Sequence, residues 1–201
     1  MKNLPYIDII IPNYNKADYL KECLDSVLNQ TYKNWKVYLI DDCSNDTSQE
    51  ILKKYNSDEK INTILLDKNC GPSYCRNLGI ESSKSDYISF LDSDDFWPQN
   101  KLEVQINEML NNKYDFSFTD IKYFSNLSDK NKKKTDLPNN YDFNKFIGKS
   151  TMSTSSILIK RSIIKDIRFK NVKHEDYLFK CDLLRNGNIS FKIFDTFVYY
   201  R

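Results

Sequence analysis

Four short apolar runs in the first half of the chain, each closing on aspartate or asparagine, constrain the fold more than any other feature of the sequence. Tyr6 to Ile11 closes on Pro12-Asn13-Tyr14-Asn15, and Trp35 to Ile40 closes on Asp41-Asp42. Ile61 to Leu66 closes on Asp67, and Tyr87 to Leu91 on Asp92-Ser93-Asp94-Asp95. Strand-length apolar runs alternating with helical periods are the pattern of β-α units feeding a largely parallel sheet. Between the first two runs, Tyr19, Leu20, Cys23, Leu24, Val27 and Leu28 fall on one helical face, and Asn15 is placed to cap that helix. Asp46 with Gln49 predicts a capping box opening a helix through about Tyr55. Pro72 suits the first turn of a helix through about Ser82, and a further helix is expected over about Gln99 to Asn111.

The regularity weakens beyond this point. Short strands are expected at Phe116 to Phe118 and Ile121 to Phe124, followed by a polar stretch, Ser125 to Asn140, that includes Lys132-Lys133-Lys134 and reads as a mobile, solvated loop. A strand at Ser156 to Ile159, a helix at Arg161 to Ile167, a helix at Glu175 to Asn186 closed by Gly187, and strands at Ile189 to Phe194 and Thr196 to Tyr200 complete the pattern. At 201 residues the chain can bury one α/β core but not two, so residues 1–201 are expected to form a single domain with halves at 1–111 and 112–201.

Composition removes several function classes. The 30 basic and 28 acidic side chains nearly cancel, so no global field points to nucleic acid or to an anionic membrane surface, and any anionic ligand must be captured locally. Five cysteines, odd in number and without C-x-x-C pairs, argue against a disulfide framework and a zinc site and fit a reducing cytoplasm. The first residues carry no signal-like apolar region, and no run approaches the roughly 18 residues that cross a bilayer. Any membrane contact is therefore expected to be peripheral, at the inner face.

In an open parallel sheet, ligands bind beyond the carboxyl ends of the strands, which is where the four acidic closures fall. Carboxylates gathered on one edge repel one another unless a cation or a donor-rich ligand sits among them, and a divalent metal is the simplest remedy. Asp92-Ser93-Asp94 offers hard oxygen ligands suited to Mg²⁺ or Mn²⁺, which keep water and phosphate oxygens in their remaining positions. His174, the sole histidine, does not make a metal site alone, and Cys43 and Cys75 read as packing residues.

Taken in order, I-I-I-P-N-Y-N at Ile9 to Asn15, L-I-D-D-C-S-N-D-T at Leu39 to Thr47, G-P-S-Y-C-R-N-L-G-I at Gly71 to Ile80, F-L-D-S-D-D-F-W at Phe90 to Trp97 and H-E-D-Y at His174 to Tyr177 closely resemble the family 2 glycosyltransferases of bacterial surface-polysaccharide type. The resemblance spans nearly the whole chain apart from about Phe124 to Ser150. It implies a GT-A fold, with a Rossmann-like mostly parallel central sheet and a smaller mixed C-terminal part. It also implies inverting transfer of a sugar from a nucleotide-diphosphate donor, usually a UDP-sugar, to a saccharide or lipid-linked acceptor hydroxyl. Residues 1–111 become the nucleotide-sugar-binding half, and 112–201 the acceptor and catalytic-base half.

Position by position, the resemblance implies that Pro12 and Tyr14 line the nucleobase pocket, that Asp42 accepts from the base, and that Arg76 lies near the nucleotide. Asp92 would contact the ribose and help hold the metal, Asp94 would bind Mn²⁺ or Mg²⁺, and Asp176 would be the catalytic base; Asp41, Asp95 and Glu175 would orient these groups. Many family members continue past a Tyr-Arg like Tyr200-Arg201 into residues that close the site, sometimes with a further histidine ligand, so the resemblance implies weak transfer from a chain of this extent.

Three other readings compete. A receiver-like phosphoacceptor domain explains paired aspartates at a strand end but is usually nearer 120 residues and leaves the Glu175-Asp176 pair unexplained. A phosphatase would need Gly-Thr soon after the nucleophilic aspartate, where Asp95-Phe96-Trp97 stands. A non-catalytic sugar-nucleotide-binding domain would keep the fold without turnover, yet both Asp94 and Asp176 are present.

Overall fold

The computed structural model describes residues 4–55, 57–124, 137–148 and 151–201. The elements run β1 (Ile7–Asn13), α1 (Ala17–Leu28), β2 (Trp35–Asp41), α2 (Ser48–Lys53), β3 (Ile61–Leu65), α3 (Pro72–Ser82), β4 (Tyr87–Phe90), α4 (Lys101–Asn112), β5 (Phe116–Tyr123), β6 (Asn140–Tyr141), α5 (Phe143–Gly148), a 3₁₀ turn (Thr154–Ser156), β7 (Leu158–Lys160), α6 (Arg161–Ile164), α7 (Glu175–Arg185) and β8 (Ser190–Tyr200). They form one eight-stranded sheet in the order β3-β2-β1-β4-β7-β5-β8-β6. The first four strands pair in parallel, whereas β7 joins β4 and β5 antiparallel and β5 pairs with β8 in parallel. This is the α/β, mostly parallel GT-A-like architecture that the sequence predicts. Among the described residues no helix is long and apolar enough to cross a membrane.

The interior strand β1 presents isoleucines to both faces because helices cover both, and its one acidic residue, Asp8, is buried with Oδ2 accepting from the Ser83 hydroxyl and the Lys84 and Ser85 N–H groups. Ile7, Ile9 and Ile11 pack with Leu20, Cys23, Leu24 and Val27 of α1, while Ile10 faces the opposite core with Cys75 and Ile80 of α3. Fully burying one such side chain is worth about 1.5–3 kcal/mol. Helix α3 lies so close to β1 that a Cβ at Gly79 would stand 2.4 Å from Cγ2 of Ile10, so glycine is what lets the two backbones approach.

Several local expectations are corrected. Asn15 does not cap α1; it adopts a left-handed turn (φ 51°) and its Oδ1 accepts from the Asn45 N–H, while the Ala17 N–H donates to Asp46 Oδ2 from across the sheet edge. The capping box at α2 is half made. Asp46 accepts from the Ser48 N–H, but Gln49 turns to Asp41 Oδ2 and the Ser44 carbonyl. Neither Phe116 to Phe124 nor Ile189 to Tyr200 divides into two strands. β5 and β8 are each continuous, and the apparent breaks mark a register shift where Asp195 takes φ 63°. The expected strand from Ser156 begins only at Leu158, because Thr154–Ser156 wind into the 3₁₀ turn, and the helix after Arg161 is a single turn. Residues 125–136 of the expected loop lie outside the described residues; the rest leads into β6, which the sequence did not signal.

Candidate active site

The carboxyl ends of β1, β2 and β4 open into a cavity of about 470 Å³ lined by Pro12, Tyr14, Asp42, Arg76, Asp92 and Asp94, with Lys16, Tyr200 and Arg201 among its other walls. All six residues expected at a donor site therefore share one cavity. Tyr14 is exposed at its edge rather than buried in the core. Asp67 stands apart, exposed after β3, its carbonyl accepting from the Cys43 thiol.

Each carboxylate in this region has its own setting. Asp41 is fully buried and structural, accepting from the Asn13 amide at 2.7 Å, the Ser44 hydroxyl at 2.6 Å and the Ser44 N–H at 3.1 Å. Asp42 receives the N–H groups of Cys70 and Gly71 at 2.7 and 2.8 Å, one on each oxygen, and also pairs with the Cys75 thiol at the cavity wall. Gly71 meets that oxygen from a backbone conformation (φ 85°) that favours glycine, just before Pro72 opens α3. Asp95 is buried against Ser155, whose hydroxyl donates at 2.6 Å, and accepts the Arg201 N–H at 3.1 Å. Burial and then the charge of Asp92 push the Asp95 pKa up to about 7.

Arg76 is the pivot. It is buried on α3, and its Nη2 donates to Asp92 Oδ1 at 2.7 Å while Nη1 donates to Glu175 Oε1 at 3.0 Å. Burial opposes its charge, but the two carboxylates outweigh that cost and raise its pKa above the ordinary value. Lys16 Nζ lies 2.7 Å from Asp94 Oδ2. The remedy for crowded carboxylates is thus partly built from side chains, with Lys16, Arg76 and Arg201 all at this cavity.

A second cavity of about 700 Å³ adjoins the first and shares Arg76, Asp92 and Tyr200 with it. Its walls include Thr154, His174, Glu175, Asp176, Tyr177 and Lys180. Asp176, in the first turn of α7, receives both Lys180 Nζ at 2.8 Å and Thr154 Oγ1 at 3.2 Å on Oδ2. Burial alone would raise its pKa; the Lys180 ammonium outweighs burial and holds it below the usual carboxylate range. Lys180 is itself buried, with its pKa lowered by burial, and also donates to the Met152 carbonyl at 2.8 Å. His174 lies exposed before α7 in a left-handed turn. Burial pushes the Cys75 thiol up to about 12, consistent with packing and not nucleophilic chemistry.

Asp92 and Asp94, at 29% and 28% side-chain exposure, each commit one oxygen to a cation and keep the other available. One or two hard carboxylates beside an open cavity match the habit of Mg²⁺ and Mn²⁺, which complete their shells with water or ligand oxygens. Among the described residues no group of three or more His, Cys, Asp or Glu could hold a metal. The donor set therefore fits a cation shared with a bound diphosphate, not a cage made by protein alone.

The family model for glycosyl transferase family 2 matches residues 8–168. The chain belongs to that family. It is 31% identical over 184 residues to the Escherichia coli UDP-Glc:alpha-D-GlcNAc-diphosphoundecaprenol beta-1,3-glucosyltransferase WfgD, covering 92% of this chain and 72% of that one. Staphylococcus aureus TarS 1-349, solved in complex with UDP, superposes with a TM-score of 0.82 at 22% identity over 98% of this chain. The mannosyltransferase PcManGT from Pyrobaculum calidifontis, in complex with GDP-Man and Mn²⁺, superposes with a TM-score of 0.75 at 14% identity over 99% of this chain. The chain spans 60% of the TarS chain and 57% of the PcManGT chain.

Lys16, Lys180, Thr154 and Ser155 line or brace the two cavities although no motif named them, and Tyr200 and Arg201, marked in the sequence only as a Tyr-Arg pair, join them. The only signals were weak ones: Lys16 directly follows the P-N-Y-N motif, and Lys180 lies one helical turn after Asp176. Ser155 clasps the Asp92–Asp95 loop, its hydroxyl accepting from the Asp92 N–H and its carbonyl from the Trp97 indole.

Proposed function

We propose that this glycosyltransferase transfers a sugar, with inversion, from a UDP-sugar held in the smaller cavity to a hydroxyl of a saccharide or lipid-linked saccharide held in the larger one, in bacterial glycan assembly. The observation that carries the reading is the junction of the two cavities. Asp42, Asp92 and Asp94 line one, Asp176 lines the other, and Arg76, Asp92 and Tyr200 form the shared wall where an anomeric carbon would lie. The names of the relatives support the donor and acceptor classes, with UDP-glucose and a diphosphoundecaprenol-linked acceptor for WfgD and UDP for TarS.

Pro12 and Tyr14 would pack against the base, Asp42 at the cavity wall would accept from it, and Asp92 would reach the ribose. Asp94, with Asp92, would hold Mn²⁺ or Mg²⁺, which neutralises the charge developing on the leaving diphosphate. Asp176 starts as a carboxylate, because Lys180 keeps it ionised, and takes the acceptor proton as the new bond forms. Arg76 keeps the two halves of the site in register by tying Asp92 to Glu175, next to the base.

Calorimetry with UDP, GDP and dTDP, each with Mn²⁺ or with chelator, tests the donor assignment. The reading expects UDP to bind, and to bind more tightly with metal. Equally negligible affinity for all three nucleotides in the presence of metal would refute it.

A further inference from the structure

Three cations line the donor cavity, and they are committed to different degrees. Arg76 is 6% exposed and locked between two carboxylates. Arg201 is 14% exposed, with Nη2 on Glu22 at 2.6 Å, Nη1 on the Asp94 carbonyl at 3.1 Å and its guanidinium over the Tyr19 ring. Lys16 differs from both. Its side chain is 40% exposed, the one ion pair it makes among the described residues is with Asp94, and it sits at the head of α1 on a flexible four-carbon stem.

The placement follows from the chain. β1 ends on Asn13, the left-handed turn at Asn15 is pinned by the Ser44 hydroxyl and the Asn45 N–H, and α1 begins at Ala17. Lys16 is therefore delivered to the mouth of the cavity, opposite a loop 78 residues further along the chain. Its Nζ occupies Oδ2 of the carboxylate whose donor set suits a divalent cation. A cation bound at Asp94 and an ammonium 2.7 Å from the same carboxylate repel each other, so the two occupants compete.

Resting on the nucleotide-diphosphate reading above, we infer that Lys16 is an exchangeable counter-ion: it pairs with Asp94 when the donor site is empty, yields Asp94 to the divalent cation, and then binds the donor diphosphate. Released from Asp94, the ammonium remains tethered at the cavity mouth, beside the space a diphosphate would fill, and phosphate oxygens are the strongest acceptors available to it. This exchange makes metal and nucleotide binding mutually reinforcing. The metal frees a cation for the diphosphate, and the diphosphate holds that cation away from the metal's carboxylate.

The test compares the parent with Lys16→Met, which keeps the stem and removes the charge, and Lys16→Arg, which keeps the charge. Mn²⁺ affinity is read without nucleotide from the loss of the free-ion paramagnetic resonance signal; UDP and uridine affinities are then read by calorimetry at saturating Mn²⁺. Lys16→Met should bind Mn²⁺ about two- to tenfold more tightly than the parent, because a partly exposed competitor has been removed. It should bind UDP about tenfold more weakly and uridine unchanged, since uridine has no phosphate for the ammonium to meet. Lys16→Arg should stay near the parent in all three. Unchanged or weaker Mn²⁺ binding by Lys16→Met, or equal losses for UDP and uridine, would overturn the inference while leaving the donor site standing. Absence of Mn²⁺ uptake by every variant even with UDP present would instead remove the metal from the site, and the exchange with it.

Discussion

Replacing Arg76 with methionine removes the charge that joins the two cavities while keeping most of the side-chain volume. The guanidinium is 6% exposed, makes ion pairs at 2.7 and 3.0 Å, and lies 5.3 Å from the centre of the Phe169 ring. Deleting one partner of a buried pair costs about 3–5 kcal/mol, mostly because the remaining charge is stranded. Here the stranded groups, Asp92 and Glu175, keep 29% and 19% exposure, so water can partly take over, and the methionine still packs on Phe169. The expected loss is therefore about 2–3 kcal/mol, below the fully buried figure. Urea titration would read it directly, and melting temperature should fall by about 4–12 °C for a chain of this size. Adding Glu175→Gln should return part of the loss, since one stranded carboxylate is gone. A deficit under about 0.5 kcal/mol, the range of ordinary surface substitutions, with no coupling to Glu175→Gln, would refute the pivot role.

Lys180→Met leaves Asp176 without the ammonium that depresses its pKa, so burial, which acts in the opposite direction, takes over. The acidic limb of the transfer–pH profile should move to higher pH, with transfer at neutral pH falling about 10- to 100-fold as the base loses its fixed position; an unmoved limb would show that Lys180 does not set the charge of Asp176. The sign for stability is fixed by the same shift. A depressed carboxylate pKa contributes stability that is present above the unfolded value of about 4 and lost as pH falls through the folded value, so the variant should lose that acid-range dependence. Lys101 is buried beside Ser89 Oγ at 3.3 Å and over the Trp97 ring at 3.8 Å, and burial lowers its pKa well below the ordinary value. Lys101→Met should therefore stabilise the fold by about 1 kcal/mol, or 2–4 °C, in thermal melts at neutral pH, and destabilisation would mean that the amine has a partner of greater worth.

Much of this was legible from residue order because the determining contacts are local. A strand-length run dominated by isoleucine, Ile7 and Ile9 to Ile11 around a single buried Asp8, reads as a strand covered on both faces, and a proline after Gly71 suits the opening of a helix there, so the parallel half and its acidic edge follow. The contacts that define the site's second layer are not local. Lys16 and Asp94 are 78 residues apart, Arg76 and Glu175 are 99 apart, and nothing in either segment alone predicts their meeting. Tyr200 and Arg201 are brought to the smaller cavity by the backbone hydrogen bonds that Phe96 and Tyr199 exchange at 3.2 and 3.0 Å, an isolated bridge that no periodicity announces. Lys180 is hidden for a different reason: a lysine on an amphipathic helix ordinarily faces water, and the carbonyl of Met152, the hydroxyl of Thr154 and the carboxylate of Asp176 make its burial tolerable.

The central claim, that one cavity holds the donor while Asp176 in the other deprotonates the acceptor, is tested most directly by Asp176→Asn. The amide oxygen can still accept from Lys180 and Thr154, so the fold should persist and UDP affinity with Mn²⁺ should stay within about twofold of the parent, while the basic oxygen is lost. Transfer from a UDP-sugar to a saccharide acceptor should then fall by about 10² to 10⁴, the scale of a missing general base. Transfer retained near the parent rate would take Asp176 out of the mechanism, and loss of UDP binding alongside it would contradict the division of labour between the two cavities.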